Sequence, residues 1–264
     1  MLFIFIIDSV IFVFGLIIGS FLNVVIRRGA KGEGLGGRSH CESCLKQLAV
    51  AELIPVLSFI LQKGRCRSCG IVFSRQYPIV ESATAISFVI AFWLFGSPVF
   101  PTLLWLKLIL LWIGISAGIV IIISDFQYRI IPNGATLLMF LAGAPFIFWR
   151  VRTEPKSFLY DFIVAAFLTL FFWLLWFASK GNWMGFGDVK LTLALSLAFG
   201  FPVAVLGILF SFWLGGIYGS FLLLTRRKKL RSRVAFGPFL VVGMAVAYFA
   251  APKLISTSFS FLIF

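Results

Sequence analysis

The sequence predicts an all-α integral membrane protein, a polytopic bundle of about eight transmembrane helices with one small polar subdomain. Three observations carry that reading. Hydrophobic residues make up 61% of the 264 and charged residues only 12%, far from the balance of a soluble domain. The apolar residues fall in runs long enough to cross a bilayer's hydrocarbon core, which takes about 20 residues of helix. The 23 lysines and arginines gather at alternate ends of those runs.

The elements follow in order. Residues 1–26 form a first span, 27–77 a polar insertion, and 78–264 a transmembrane core of about seven further spans. In the first span the earliest positive charges, Arg27 and Arg28, come after the apolar run. That order favours an uncleaved helix with an external N-terminus over a secretion signal. The core spans are expected at 78–95, 102–123, 134–149, 158–178, 189–201, 203–224 and 234–251. The run 203–224 carries no charge, 102–123 only Lys107 and 158–178 only Asp161. The spans at 134–149 and 189–201 are short, so their ends are expected to extend into the flanking loops.

Orientation follows from the charges. Alternating eight spans places 27–77, 125–133, 179–188 and 225–233 on one side, which then holds 18 of the 23 basic residues once Lys190 is counted. That side is cytoplasmic by the positive-inside rule. Arg150, Arg152 and Lys156 dissent. The net charge of +14 therefore reflects topology and attraction to anionic lipid. Nucleic acid is excluded as a partner, since the basic residues sit at span ends and no reading motif accompanies them.

The polar insertion holds all four cysteines, as "CESC" at 41–44 and "CRSC" at 66–69. Two C-x2-C pairs 21 residues apart suit a tetrahedral thiolate site for structural zinc, liganded by Cys41, Cys44, Cys66 and Cys69. Arg38, Lys46, Arg65 and Arg67 favour the thiolates. A segment of this length buries little core of its own, so a metal staple has a purpose. The rival reading, a disulfide relay to a quinone, conflicts with the reducing side to which both pairs are assigned. His40 is the only histidine and is left spare by a four-cysteine site. No G-x-S-x-G elbow accompanies it, which disfavours serine–histidine hydrolysis.

Only nine acidic residues are present, and carboxylates inside a membrane are functional candidates because a charge at the bilayer centre costs about 2.5–3.5 kcal/mol. Asp8 and Asp161 read as interfacial residues near the outer face. Asp125, in "ISDFQYRIIPN", and Asp188, in "GFGDVK", both fall at the cytoplasmic face, 63 residues apart. Two carboxylates at one depth can share a proton, one acting as acid while the other acts as base, the division an aspartic protease needs. Gly185 and Gly187 permit close backbone approach, as a substrate strand requires. Other readings stay open on spacing alone. Asp188 caps a helix beginning at Val189, Asp125 pairs with Arg129, or the carboxylates drive a transporter.

The motifs taken together resemble the type IV prepilin peptidase family, the membrane leader peptidases that also N-methylate the new N-terminus. "GLIIGSFLNVVIRR" (15–28) is similar to the family's first-span signature, and "RSHCESC", "IPVLSFILQKGRCRSCG" and "RQYPIVES" to its cysteine-bearing segment. "DFQYRIIPN" and "GFGDVKL" resemble its two aspartate motifs, the second in the GxGD pattern, and "FGPFL" (236–240) a motif of its last span. The resemblance implies that Asp125 and Asp188 are the catalytic pair. It implies cleavage of a short basic leader after glycine from prepilin or pseudopilin substrates, next to a hydrophobic helix typically beginning with phenylalanine. It further implies methyl transfer from S-adenosylmethionine, zinc at the four cysteines, and a bacterial inner-membrane location. Gly19, Asn23 and Arg27 match the first-span motif and Glu81 the start of the second span. Asn23 and Glu81 are the candidates for the methyl-donor region, with polar contacts between helices as the alternative. Around 48–54, "LAVAELI", the chain departs from the family's aromatic and Asp-Asn step.

Overall fold

The computed structural model describes residues 2–95, 102–153, 155–225 and 234–258. From 226 onward, the basic loop expected at 225–233 lies outside them. All the regular elements among the described residues are helical. They are α1 (Leu2–Lys31), α2 (Leu57–Leu61), α3 (Gln76–Phe95), α4 (Thr102–Tyr128), α5 (Asn133–Thr153), α6 (Pro155–Ala178), α7 (Phe186–Phe199), α8 (Val203–Leu224) and α9 (Gly237–Ser258), with a 3-10 turn at Val50–Glu52. Six of them, α1, α3, α4, α5, α6 and α8, are long and apolar enough to cross a membrane. The protein is a multi-pass membrane protein. It divides into two compact units, residues 1–120 and 121–264, with the boundary inside α4.

In the first unit α1 and α3 pack closely because α1 presents glycines to α3. A Cβ at Gly15 would lie 2.5 Å from Ala85 Cα, and one at Gly19 would lie 2.6 Å from Glu81 Cα. Backbones approach this closely only where small residues line the contact, the usual device of helix pairs in lipid. Toward the other end, Ile11, Phe88, Ala91, Phe92 and Leu108 form an apolar cluster. Trp112 stacks on Phe88 at 5.0 Å and donates its Nε1 proton to Phe88 O at 3.2 Å.

The second unit surrounds α7. This helix begins and ends where glycine turns stop it: it extends the expected 189–201 span back to Phe186 but stops at Phe199, so it stays short. Its 14 residues give about 21 Å, short of the about 30 Å hydrocarbon core. The 134–149 span does extend, to the 21 residues of α5.

At its C-terminus α7 ends on Gly200, whose φ of +68° suits glycine. The last carbonyls of a helix have no partner within it. Here Arg150 supplies three donations, from Nη1 to Phe199 O at 3.2 Å and from Nη2 to Leu197 O at 3.2 Å and Ala198 O at 3.0 Å. Asp161 completes the clamp. Its Oδ2 lies 2.8 Å from Arg150 Nη1, and its Oδ1 accepts the Phe201 N–H at 2.6 Å. The pair corrects two expectations. Asp161 is 3% exposed and ion-paired, not interfacial. Arg150 no longer counts against the positive-inside pattern, because its charge is neutralised within the fold.

Candidate active site and cysteine cluster

Asp125 ends the apolar run of α4, and Asp188 lies in the first turn of α7. Both are 6% exposed. Although distant in sequence, they stand close enough for their charges to interact. Asp188 is not the N-cap of its helix. α7 starts three residues earlier than expected, at Phe186, so Gly185 takes the cap position and Asp188 the third helical one. From there Asp188 Oδ2 accepts the Gly185 N–H at 3.2 Å, while Oδ1 is buried without a hydrogen-bond partner among the described residues. Asp125 is anchored in the same way from another element: its Oδ2 accepts the Gly237 N–H at 2.9 Å. No ion pair joins it to Arg129 among the described residues, although the Arg129 charge acts on it. Each carboxylate is thus held through one oxygen by the backbone N–H of a glycine.

Gly237 was not foreseen as part of the site. It opens α9, where a free N–H and the positive end of the helix dipole face an anion. Pro238 follows at a first-turn position that needs no N–H. Phe236 and Phe239 hold this turn in place, the first against Phe172 and Phe212, the second against Phe126 and Tyr218. The signal lay in "FGPFL", a Gly-Pro step between two aromatics at the head of an apolar run.

Ile131 was also missed. It packs where side chains are lacking on two separate elements. A Cβ at Gly187 would lie 3.0 Å from Ile131 Cβ, and one at Gly237 would lie 3.1 Å from Ile131 Cδ1. Lys190 adds a second tie between the two aspartate segments, donating to Asn133 Oδ1 at 3.0 Å. The two candidate substrate-positioning glycines therefore differ. Gly187 is closed by Ile131, whereas a Cβ at Gly185 would meet nothing nearer than Asp188 Oδ2 at 3.8 Å.

Gly237→Ala tests this geometry, since its Cβ would lie 2.8 Å from Asp125 Oδ2 and must displace the carboxylate. On the peptidase role that the motif resemblance implies for Asp125, the expected result is a fall in cleavage rate of about 10²-fold with the thermal midpoint little changed, as a misplacement of 1 Å at a reacting group produces. Cleavage kinetics beside a melting curve check it.

In the first unit the cysteines form two matching knuckles. Cys41 N donates to Lys46 O and Leu45 N to Cys41 O; Cys66 N donates to Ile71 O and Gly70 N to Cys66 O, all at 2.9 Å. The fourth residue after each leading cysteine is left-handed: Gly70 at φ +73° and Leu45 at φ +57°. All four thiols are free, with their sulfurs within 4.8 Å of one another and Cys41 Sγ 3.8 Å from Cys69 Sγ. A tetrahedral ion with bonds of about 2.3 Å to sulfur spaces its ligands about 3.8 Å apart. The four residues can hold a metal ion, and His40 is not among them.

The electrostatics fit a cation. The N–H groups of Cys44 and Ser43 pull the Cys41 thiol below its ordinary value. Those of Cys69 and Ser68 pull Cys66 down to about 6. At Cys69 the Ile71 N–H is outweighed by burial and by the other three sulfurs, which push that thiol up to about 11. Sulfurs this close cannot all be thiolates without a positive ion between them.

Asn23 and Glu81 come together at the tight α1–α3 contact. Asn23 spends its amide on Gly19 O at 3.3 Å and Tyr77 O at 3.2 Å, and its Oδ1 accepts from Gln76 at 3.4 Å. Glu81, 5% exposed, accepts the Val56 N–H at 2.7 Å through Oε2. No cation pairs with Glu81 among the described residues. A buried carboxylate without a countercharge fits a cationic ligand such as a sulfonium or ammonium group.

The fold and site define a class: a multi-pass helical membrane protein with two buried, interacting aspartates and a four-thiol cluster. Residues 13–95 match the Bacterial Peptidase A24 N-terminal domain, and residues 112–220 the Type IV leader peptidase family. The chain belongs to that family. It is 32% identical to the prepilin leader peptidase/N-methyltransferase of Bacillus subtilis (strain 168), across 94% of this chain and 96% of that protein. With the protein of the same name from Aeromonas salmonicida (strain A449) the identity is 30%, across 90% and 89%. With that of Klebsiella pneumoniae it is 34%, across 71% and 82%. No solved structure matches the chain significantly.

Proposed function

We propose that this protein is a membrane aspartyl endopeptidase that removes the leader from type IV prepilins or pseudopilins and N-methylates the newly exposed N-terminus. The observation that supports it most is the pairing of Asp125 and Asp188, buried together and each anchored through one oxygen by a glycine N–H. One aspartate stays ionised and takes a proton from water. The other holds a proton and gives it to the peptide carbonyl as the water oxygen bonds to the carbonyl carbon. Collapse of that adduct breaks the C–N bond, and a proton passes to the leaving amine. The glycine N–H bonds hold both carboxylates at the depth where the substrate chain enters the membrane. Gly185, open beside Asp188, offers the scissile segment an edge to lie against.

The active site faces the cytoplasm of the bacterial inner membrane, as the distribution of basic residues indicates. Cys41, Cys44, Cys66 and Cys69 hold zinc, which supplies a structural cross-link to a segment with little core. S-adenosylmethionine supplies the electrophilic methyl group. Glu81 suits the positive charge of the donor or of the substrate's amine, and Asn23 shapes the helix contact beside it.

The test is incubation of the purified protein with a prepilin and S-adenosylmethionine, reading the product's N-terminus by mass spectrometry. A product cut after glycine and heavier by one methyl group is the expected result. A cut, unmethylated product discards the transferase, and an uncut substrate discards the reading. The metal is tested separately. Cys41→Ser or Cys66→Ser is expected to reduce bound zinc from about one ion per chain to none and to lower the melting midpoint, because metal-binding energy is partly folding energy. Elemental analysis and a thermal melt read both effects.

A further inference from the structure

Helical serines and threonines in this protein generally return their hydroxyl to the carbonyl four residues back. Thr84 does so to Val80 O at 2.7 Å, Ser116 to Trp112 O at 2.8 Å, Thr169 to Ala165 O at 2.7 Å and Ser211 to Gly207 O at 2.6 Å. That bond is the ordinary refuge of a hydroxyl in an apolar helix. Three buried hydroxyls depart from the pattern and have no partner among the described residues: Ser124, Thr192 and Ser196. Their location is not scattered. Ser124 precedes Asp125, and Thr192 and Ser196 follow Asp188 at one and two turns along α7. Thr192 and Ser196 are 0% exposed, and the nearer oxygen of the series, Asp188 Oδ1, is likewise buried and unpartnered.

Side chains four apart on a helix lie on one face with about 5–6 Å between Cβ atoms. A single water with hydrogen bonds of about 2.8 Å spans that gap. Buried polar groups are kept where they have a partner, and a buried water with two to four polar neighbours is the common one.

We propose that Thr192 is a positioning residue for the hydrolytic water, holding it against Asp188 Oδ1, with Ser196 anchoring a second water one turn deeper. This rests on the aspartyl-protease reading of Asp125 and Asp188. In the reaction the held water loses a proton to the ionised aspartate as its oxygen bonds to the peptide carbonyl carbon. Thr192 is not consumed and transfers nothing. It fixes where the water stands in a part of the protein that bulk water does not fill.

The experiment compares wild type, Asp188→Asn, Thr192→Val, Thr192→Ser and Thr192→Ala, measuring kcat, KM and thermal midpoint with a purified prepilin. Thr192→Val keeps the shape and removes only the hydroxyl. Its kcat is expected to fall about ten- to a hundredfold with KM little changed. Its midpoint should hold or rise, since a buried unsatisfied oxygen is gone. Thr192→Ser is expected to restore most of the rate. Wild-type kcat in Thr192→Val overturns the proposal, as does an equal loss in Thr192→Ser, which would make the methyl contact the cause. Should Thr192→Val not fold, Thr192→Ala against Thr192→Ser decides on the same hydroxyl, and equal rates overturn the proposal. Asp188→Asn separates the two levels: if it cleaves like wild type the dyad reading itself fails, and if it is inactive while Thr192→Val is fully active only the water proposal fails.

Discussion

Asp188→Asn is expected to abolish leader cleavage while leaving the protein folded, and Asp125→Asn to do the same. The amide keeps the shape of the carboxylate and still accepts a bond from the N–H of Gly185 or Gly237, so the local anchors survive. What is lost is a group able to gain and release a proton. General acid and base steps each contribute about 10²–10⁴-fold, so each single variant should lose about 10³-fold or more. The double variant should be scarcely worse, because two groups acting as one unit fail together when either is removed. Cleavage by purified variants, normalised to folded protein by melting curve, gives the answer. Variants that cut as fast as wild type would make both aspartates structural.

Arg150→Met is expected to destabilise the second unit by about 3–5 kcal/mol, because it leaves the buried Asp161 carboxylate without its countercharge. It also strips partners from the carbonyls of Leu197, Ala198 and Phe199 at the end of α7. The paired change Arg150→Met with Asp161→Asn should recover part of the loss, since no buried charge is then unpaired. A thermal melt in one detergent measures all three proteins. A single variant within about 0.5 kcal/mol of wild type would place the pair among solvated surface contacts.

Local signals were readable in the chain wherever they depend on neighbours in sequence. Apolar runs marked every long helix, since backbone polar groups in lipid must be satisfied internally, and a single segment can do that alone only as a helix. The C-x2-C pairs marked the two cysteine knuckles, because a tight turn is set by residues within it. The same locality explains the errors. Gly185 and Gly200 were visible in the chain, but a glycine alone does not say that a helix stops there, as α7 does at 14 residues. Asp161 read as interfacial because its partner, Arg150, lies on another helix.

By itself the sequence determined the class of protein, the helical spans, the orientation suggested by charge, the thiol set and the two aspartates as candidates. The tertiary structure decided what each carboxylate touches. Gly237 reaches Asp125 from 112 residues away, Ile131 fills the space beside both Gly187 and Gly237, and Thr192 shares a buried face with Asp188. Such contacts depend on how helices pack, and helix packing is set by many small side-chain fits summed over several elements. No window along the chain contains that sum.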